Sequence, residues 1–208
     1  MALDTFDNLV KEVIDWSHRS DLGTKINNFI QLAENAMYSN EVEPLKVRSM
    51  ETVSTAATAG QYVELPPEFE SARSIRLVTG DNGGELKYQA PEQMFKNVAT
   101  GRPTFFTIVG NEVQLDRVHD SEYTLEIQYF KRAAALSVTN QTNDVLTNHP
   151  SVYLFGALTA LFSYSQDTEQ QIKYNQMFIS AIKGANKADK KGRYGPAPSM
   201  SIDCGMVV

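Results

Sequence analysis

The sequence has a single cysteine, Cys204, close to its end. One cysteine excludes both a disulfide framework and a cysteine-based zinc site within one chain. Positive charge is also in short supply, because 19 Lys and Arg residues face 25 Asp and Glu residues. The resulting formal net charge of −6 disfavours a protein that neutralises the phosphates of duplex DNA. The first residues, MALDTFDNLV, lack the basic and apolar regions of a secretion signal. We therefore expect synthesis in the cytoplasm.

Recognised catalytic motifs are missing as well. The sequence contains no HExxH, no G-x-S-x-G, no P-loop and no dinucleotide fingerprint. The glycine-rich stretch at 80–84 lacks the Lys-Ser/Thr pair of a phosphate loop and is predicted to be a turn. His18, His119 and His149 stand far apart, without metal-ligand spacing, and are expected to face solvent or cap helices. We predict no catalytic, cofactor-binding or metal-binding residue.

Paired carboxylates leave one enzymatic alternative open. Glycosidase acids need only a suitable separation in space, so spacing in the sequence does not exclude them. Glu122 and Glu126 are spaced for the solvent side of a strand, and Glu68 and Glu70 lie in a polar turn. We interpret all four as solvated surface residues, with a tail-associated glycan or peptidoglycan hydrolase as the alternative.

The most apolar stretch is PSVYLFGALTALFSYS at 150–165. Its apolar residues cover the whole circumference of a helix, so the helix must be surrounded by other elements. The run is about half of the roughly 20 apolar residues that a membrane span needs. We predict a buried central helix with Pro150 in its first turn and Thr147 or Asn148 as the N-cap.

Helical spacing of apolar residues recurs on both sides of this stretch. It predicts amphipathic helices over 4–19 and 24–40, and a helix after Asp167 that returns alongside the central one. We expect five apolar side chains to share one core: Trp16, Phe29, Leu154, Leu158 and Phe178.

Between the two helical regions the apolar spacing changes to two, which is typical of strands. The hairpin is marked by Gly110-Asn111, since both residues tolerate the positive φ of a tight turn. A short helix is predicted at 91–98. The predicted strands are 62–65, 74–78 with a return strand at 86–88, 105–109 with 112–115, and 123–129.

These elements predict an α+β fold. Residues 1–47 and 132–194 would supply two helix pairs of one helical bundle, with an antiparallel β module inserted at 48–131. Residues 195–208 would form a C-terminal arm.

Two features near the C-terminus suggest contact with a partner. Lys187, Lys190, Lys191 and Arg193 close the last helix, where positive charge also simply complements the helix dipole. The tail alternates apolar and polar residues as an added strand would. A disordered tail without a role is the alternative. The apolar tail residues are Met200, Ile202, Met206, Val207 and Val208.

The ordered set of segments resembles the head-to-tail adaptor (connector) family of tailed bacteriophages, especially short-tailed ones, over about residues 5–195. The N-terminal matching residues are Asp15-Trp16, Arg19, Asp21-Leu22, Ile26, Phe29-Ile30 and Leu32-Ala33-Glu34. The central ones are Leu65-Pro66, Phe69, Arg73-Ser74, Tyr88, Pro91-Glu92, Gly101-Arg-Pro103, Phe106-Thr-Ile108, Gly110, Tyr123-Thr-Leu125 and Tyr129. The C-terminal ones are Leu146, Pro150, Tyr153-Leu, Gly156 and Arg193-Tyr-Gly195.

The resemblance implies a structural virion protein at the head-tail interface. It implies a homo-oligomeric ring, twelve-fold, between the portal protein and a tail or nozzle protein, with DNA passing through the channel. It implies no enzymatic activity, no cofactor and no membrane partner. The portal or an adjacent subunit would then be the partner of the arm and of the basic cluster.

Overall fold

The computed structural model describes residues 3–39, 42–58, 60–78, 83–94 and 100–194. The chain divides into two compact units. The helical unit contains the described residues up to Ser49 and from Ala133 onward, and the β unit is Met50–Arg132. The structure is a mixture of helices and strands, which is compatible with the predicted α+β class.

The helical unit contains five α-helices within the described residues, and a 3-10 helix at Arg48–Met50 leads into the β unit. The helices are α1 (Phe6–Ser17), α2 (Ile26–Ser39), α3 (Asp144–Asn148), α4 (Pro150–Tyr164) and α5 (Thr168–Tyr194), with the 3-10 helix Ser20–Lys25 between α1 and α2. Thr5 caps α1 by accepting the Asn8 N–H, and α1 ends at His18, whose φ of 52° is left-handed.

Helix α4 is the centre of this unit, as its sequence predicts. It packs against α1, α2, α3 and α5. Tyr153, Leu154, Leu158 and Leu161 are each 3% exposed or less. Each such apolar side chain contributes about 1.5–3 kcal/mol by leaving water. None of the helices in the described ranges has the length and apolar content to cross a membrane.

Two of the predictions around α4 are wrong. Neither Thr147 nor Asn148 is its N-cap, because both belong to the short helix α3, which Asn143 caps through the Leu146 N–H. His149 joins α3 to α4 without a side-chain cap bond. Trp16 is 43% exposed and not part of the core, since the buried face of α1 continues from Val13 to Ser17.

A glycine allows the closest approach of helices in this unit. A Cβ built on Gly156 of α4 would lie 2.8 Å from Ala33 Cβ on α2 and 3.0 Å from Phe178 Cε2 on α5. Real Cβ atoms are essentially never found at 2.8 Å from a neighbour. The packing of α2 and α5 against α4 therefore requires glycine at 156.

We predict that Gly156→Ala destabilises the protein, although alanine is the better helix former. Overpacking costs about 1–3 kcal/mol, against a helix-propensity gain of about 1 kcal/mol. Gly184→Ala on α5 is the matched control, since nothing lies within 4 Å of its added Cβ and it should stabilise by about 0.5–1 kcal/mol. Urea unfolding of both variants measures this; a shift of the same sign in both would contradict the close approach.

The turn between α4 and α5 reverses the chain as the acidic break predicts. Gln166 has a left-handed φ of 61°, and the Asp167 carboxylate accepts the Gln170 N–H at 3.1 Å to start α5. Helix α5 then packs along α4, with the rings of Phe162 and Tyr174 stacked at 5.3 Å. The two helices form the predicted hairpin.

A polar network inside the helical unit holds the segment that follows the β unit. Glu34 Oε1 on α2 accepts the Leu136 N–H at 2.8 Å and the Tyr153 hydroxyl at 3.2 Å. The Asn143 amide donates to the same hydroxyl at 2.7 Å. Burial raises the pKa of Glu34 above its usual value, although the two hydrogen bonds oppose the rise. The ionised carboxylate is therefore costly to the fold.

We predict that Glu34→Gln becomes more stable relative to the parent as pH rises from 4 to 8. In the parent, the pKa of Glu34 is higher in the folded protein than in the unfolded chain. The contribution of Glu34 to stability is therefore complete at pH values below the unfolded pKa, and it is lost as pH rises through the folded pKa. Glutamine keeps the acceptor oxygen without the charge. Denaturant unfolding of both proteins across this pH range measures the difference, and a difference independent of pH would contradict the prediction.

The β unit contains two four-stranded sheets, ordered β1-β8-β3-β4 and β2-β7-β6-β5. The first sheet is built from β1 (Glu51–Ala57), β8 (Thr124–Lys131), β3 (Phe69–Leu77) and β4 (Gly84–Glu85). The second is built from β2 (Tyr62–Glu64), β7 (Glu112–Leu115), β6 (Phe105–Val109) and β5 (Lys87–Tyr88).

Strands of both sheets contribute to one hydrophobic core. Tyr123, Leu125, Ile127 and Tyr129 are buried together, as their alternation predicts. The hairpin of β6 and β7 is also confirmed, and Gly110 has the positive φ of 62° that its turn requires. In β8 the buried Leu125 and Ile127 alternate with the more exposed Thr124, Glu126 and Gln128, so the register of this strand decides which of its side chains enter the core.

Some β predictions are wrong. The return strand is not a single strand at 86–88: Gly84–Glu85 pairs with β3, and Lys87–Tyr88 pairs in parallel with β6 of the other sheet. The short helix predicted at 91–98 is a 3-10 helix at Pro91–Gln93, and residues 95–99 lie outside the described ranges. Most of the turn predicted at 80–84 also lies outside them.

Candidate interaction surfaces

The C-terminal half of α5 holds an extended segment, 43–46, through one buried side chain. Asn186 is 3% exposed. Its amide donates to Glu43 Oε1 at 3.0 Å and to the Pro44 carbonyl at 2.9 Å, and its Oδ1 accepts the Lys46 N–H at 2.9 Å. The amide is thereby satisfied on both its donor and its acceptor side, as a buried polar group must be. We call this arrangement the Asn186 clamp.

A hollow of about 500 Å³ lies next to the clamp. Its lining includes Arg48, His149 and Asp189. Burial lowers the pKa of His149, and the nearby Asp189 carboxylate partly offsets this effect. His149 is partly buried and occupies the cap position between α3 and α4, where its backbone N–H donates to the Val145 carbonyl, so it caps a helix as expected but does not face solvent fully. Groups of both charge signs line the hollow, which suits polar contacts better than apolar ones.

The predicted basic cluster lies on the same end of α5. Lys187, Lys190 and Lys191 are all exposed. The Lys190 ammonium is 3.9 Å from Glu43 Oε1, an exposed pair that contributes about 0–1 kcal/mol. The lysines can therefore meet a partner at little cost. The side chain of Arg193 lies outside the described residues, as do the tail residues Met200, Ile202, Met206, Val207 and Val208.

The carboxylates of the enzymatic alternative are not assembled as an acid-base pair. Glu126 on β8 pairs with Arg76 at 2.6 Å, and Glu70 pairs with Arg132. Glu122 is exposed but precedes β8, so its predicted position on the strand is wrong. Opposite charges paired across neighbouring strands stabilise a sheet by roughly 0.2–1 kcal/mol. No observation favours the hydrolase.

The two remaining histidines do not form a metal site with the described residues. His18 is exposed at the end of α1. His119 lies in the β unit, and its buried Nδ1 has no hydrogen-bond partner. Across the described ranges, no group of three His, Cys, Asp or Glu side chains is placed to hold a metal ion.

These surfaces are suited to contacts with a partner. A family model described as SU10 adaptor protein matches residues 4–199. The chain belongs to this family of phage head-to-tail adaptors, as its ordered motifs predict. No curated protein matches the sequence.

Sequence reasoning found the basic cluster but missed the Asn186 clamp. A signal was present, because Asn186 follows Ile182 by four residues and so continues the buried stripe of Tyr174 and Phe178. A polar residue in such a stripe needs hydrogen-bond partners. Nothing in the sequence identifies the partners, since they lie about 140 residues away.

We predict that Asn186→Ala costs about 1–3 kcal/mol, because it removes the buried hydrogen bonds of Asn186 to the Lys46 N–H and the Pro44 carbonyl. The adjacent exposed Lys187→Ala is the control and should stay within about 0.5 kcal/mol of the parent. Thermal unfolding gives the stabilities. Hydrogen exchange at the Lys46 amide reports the clamp itself, and unchanged protection there in Asn186→Ala would count against it.

Proposed function

We propose that this protein assembles into a ring, twelve-fold, that joins the portal to a tail or nozzle protein in the virion and lets DNA pass through its channel. Membership of the adaptor family is the observation that carries this proposal. The protein would act by assembly and not by catalytic turnover.

Closed rings arise when the same heterologous contact repeats and the rotation between subunits closes. The formal net charge of −6 supports the proposal that DNA passes through the channel of the ring. A surface of net negative charge does not hold DNA phosphates, so DNA can slide past it without capture.

We propose that the portal or a neighbouring subunit contacts the end of α5 and the arm that follows it. The arm residues would be Met200, Ile202, Met206, Val207 and Val208, and the charged residues Lys187, Lys190, Lys191 and Arg193. The exposure of the three lysines supports this assignment. Charged rims raise association rates and respond to salt. The arm would lose its conformational freedom only on assembly.

The test is assembly from purified parts. The full chain is mixed with the purified portal ring of the same phage and examined by sedimentation and negative-stain microscopy. We expect a closed ring of this chain on one end of the portal, and no ring in the absence of portal. Absence of any complex at low salt would contradict the proposed function.

We predict that the charge reversals Lys187→Glu and Lys191→Glu together slow association with the portal and reduce its salt dependence. Each reversal also places a negative charge near the helix C-terminus, at a cost of about 0.3–1 kcal/mol. The control is the double variant Lys11→Glu with Lys87→Glu, which changes the net charge equally at other exposed positions. Stopped-flow or surface-binding kinetics at two salt concentrations measure the effect, and equal slowing by both pairs would refute a local role.

A further inference from the structure

The β unit has one long open sheet edge among its described strands. At three of the four sheet edges the outermost strands are short: β4 and β5 have two residues each and β2 has three. The fourth edge is β1, with seven residues in unbroken register with β8. Proteins keep edge strands short or otherwise protected because unpaired backbone groups bind other strands.

The hydrogen-bond pattern shows which residues of β1 direct their backbone N–H and C=O groups away from β8. The Thr58 N–H donates to the Tyr123 carbonyl at 2.9 Å, which makes this a hydrogen-bonded pair of the ladder. Such pairs alternate along an antiparallel ladder, so Ser54 and Ala56 bond towards β8. The backbone groups of Val53, Thr55 and Ala57 therefore point to the open edge. The side chains of these same three residues are exposed.

The composition of β1 leaves this edge unprotected. Between Glu51 and Ala57 the residues are Thr, Val, Ser, Thr and Ala, with no lysine, no proline and no bulge. Lysine, proline and bulges are the usual protections of an edge strand. Val53 is 55% exposed, so the edge also offers one large apolar side chain to an added strand.

We propose that β1 receives the C-terminal segment of a neighbouring copy of this chain, which adds a strand to the sheet through residues 199–203. The inference rests on the proposed ring and names the surface that receives the arm. Strand addition gains affinity from main-chain hydrogen bonds, and alternate side chains decide register.

The sequence beyond α5 supports this occupant. Ser199 to Asp203 alternates small or acidic polar residues with Met200 and Ile202, so one face of an added strand would be apolar and could cover Val53. Residues 195–198 connect α5 to the proposed strand and can extend over about 13 Å. The two prolines at 196 and 198 precede the alternating part and do not interrupt its donors.

The single native cysteine allows a direct test, because Cys204 follows the proposed strand. One version of the chain carries Cys204→Ser with a cysteine at position 53, 55 or 57, and the other is the parent sequence. The two are mixed, assembled on the portal ring and mildly oxidised. We expect a disulfide between the two versions from at least one β1 position, since Cys204 is the residue next to the added strand and disulfides join residues whose Cα atoms are about 4.4–6.8 Å apart. Val109→Cys at the exposed hairpin end is the control and should not cross-link.

A proline pair separates edge binding from folding. Thr55→Pro removes an outward N–H, leaves the bonds to β8 intact and should keep the parent melting temperature within a few degrees. Ser54→Pro removes a bond to β8 and should lower the melting temperature. We expect Thr55→Pro to weaken ring assembly on the portal at least tenfold.

The outcomes distinguish the two proposals. An inter-copy disulfide together with impaired assembly of Thr55→Pro supports the strand addition. Rings that form normally with Thr55→Pro, and without cross-linking at any β1 position, overturn it while the proposed function stands. Failure of the parent chain to assemble on the portal overturns the proposed function and this inference with it.

Discussion

The enclosure of α4 is the constraint on which the helical unit depends. This helix is apolar on all sides, so it needs α2 from the beginning of the chain and α5 from its end. The β unit is inserted between them, and the chain must leave the helices and return. Both connecting segments are fixed by polar side chains, the buried Asn186 on the way out and the partly buried Glu34 on the way back. Polar side chains of the helical unit thus hold the ends of the insertion.

The sequence predicts the elements whose signals are local. The continuous apolar surface of α4 and the turn at Gly110 are both found as expected. Strand β1 was not predicted, because its small Ser, Thr and Ala residues give weak alternation. The predicted pairing of Lys87–Tyr88 was wrong, because the partner of a two-residue strand is determined by contacts with residues distant in the chain. The prediction that Trp16 is buried was wrong for a similar reason. Several positions of α1 satisfy helical spacing, and tertiary packing decides which of them are buried.

The interaction surfaces divide in the same way. A run of lysines near a helix end is visible in sequence, whereas the clamp at Asn186 and the open edge of β1 depend on residues far apart in the chain. These surfaces have different physical properties. The lysines at the end of α5 act over several ångströms and respond to salt, while an open strand edge needs direct backbone contact. We propose that the first guides encounter and the second fixes neighbouring copies.

The central claim is that copies of this chain form a ring between the portal and the tail. A reconstruction of the neck of the mature virion, without imposed symmetry, tests it most directly. The account predicts a closed ring of twelve subunits below the portal, each fitted by the helical unit and the β unit, around an open channel. Direct contact between portal and tail protein, with density for this chain elsewhere or nowhere in the neck, would contradict it.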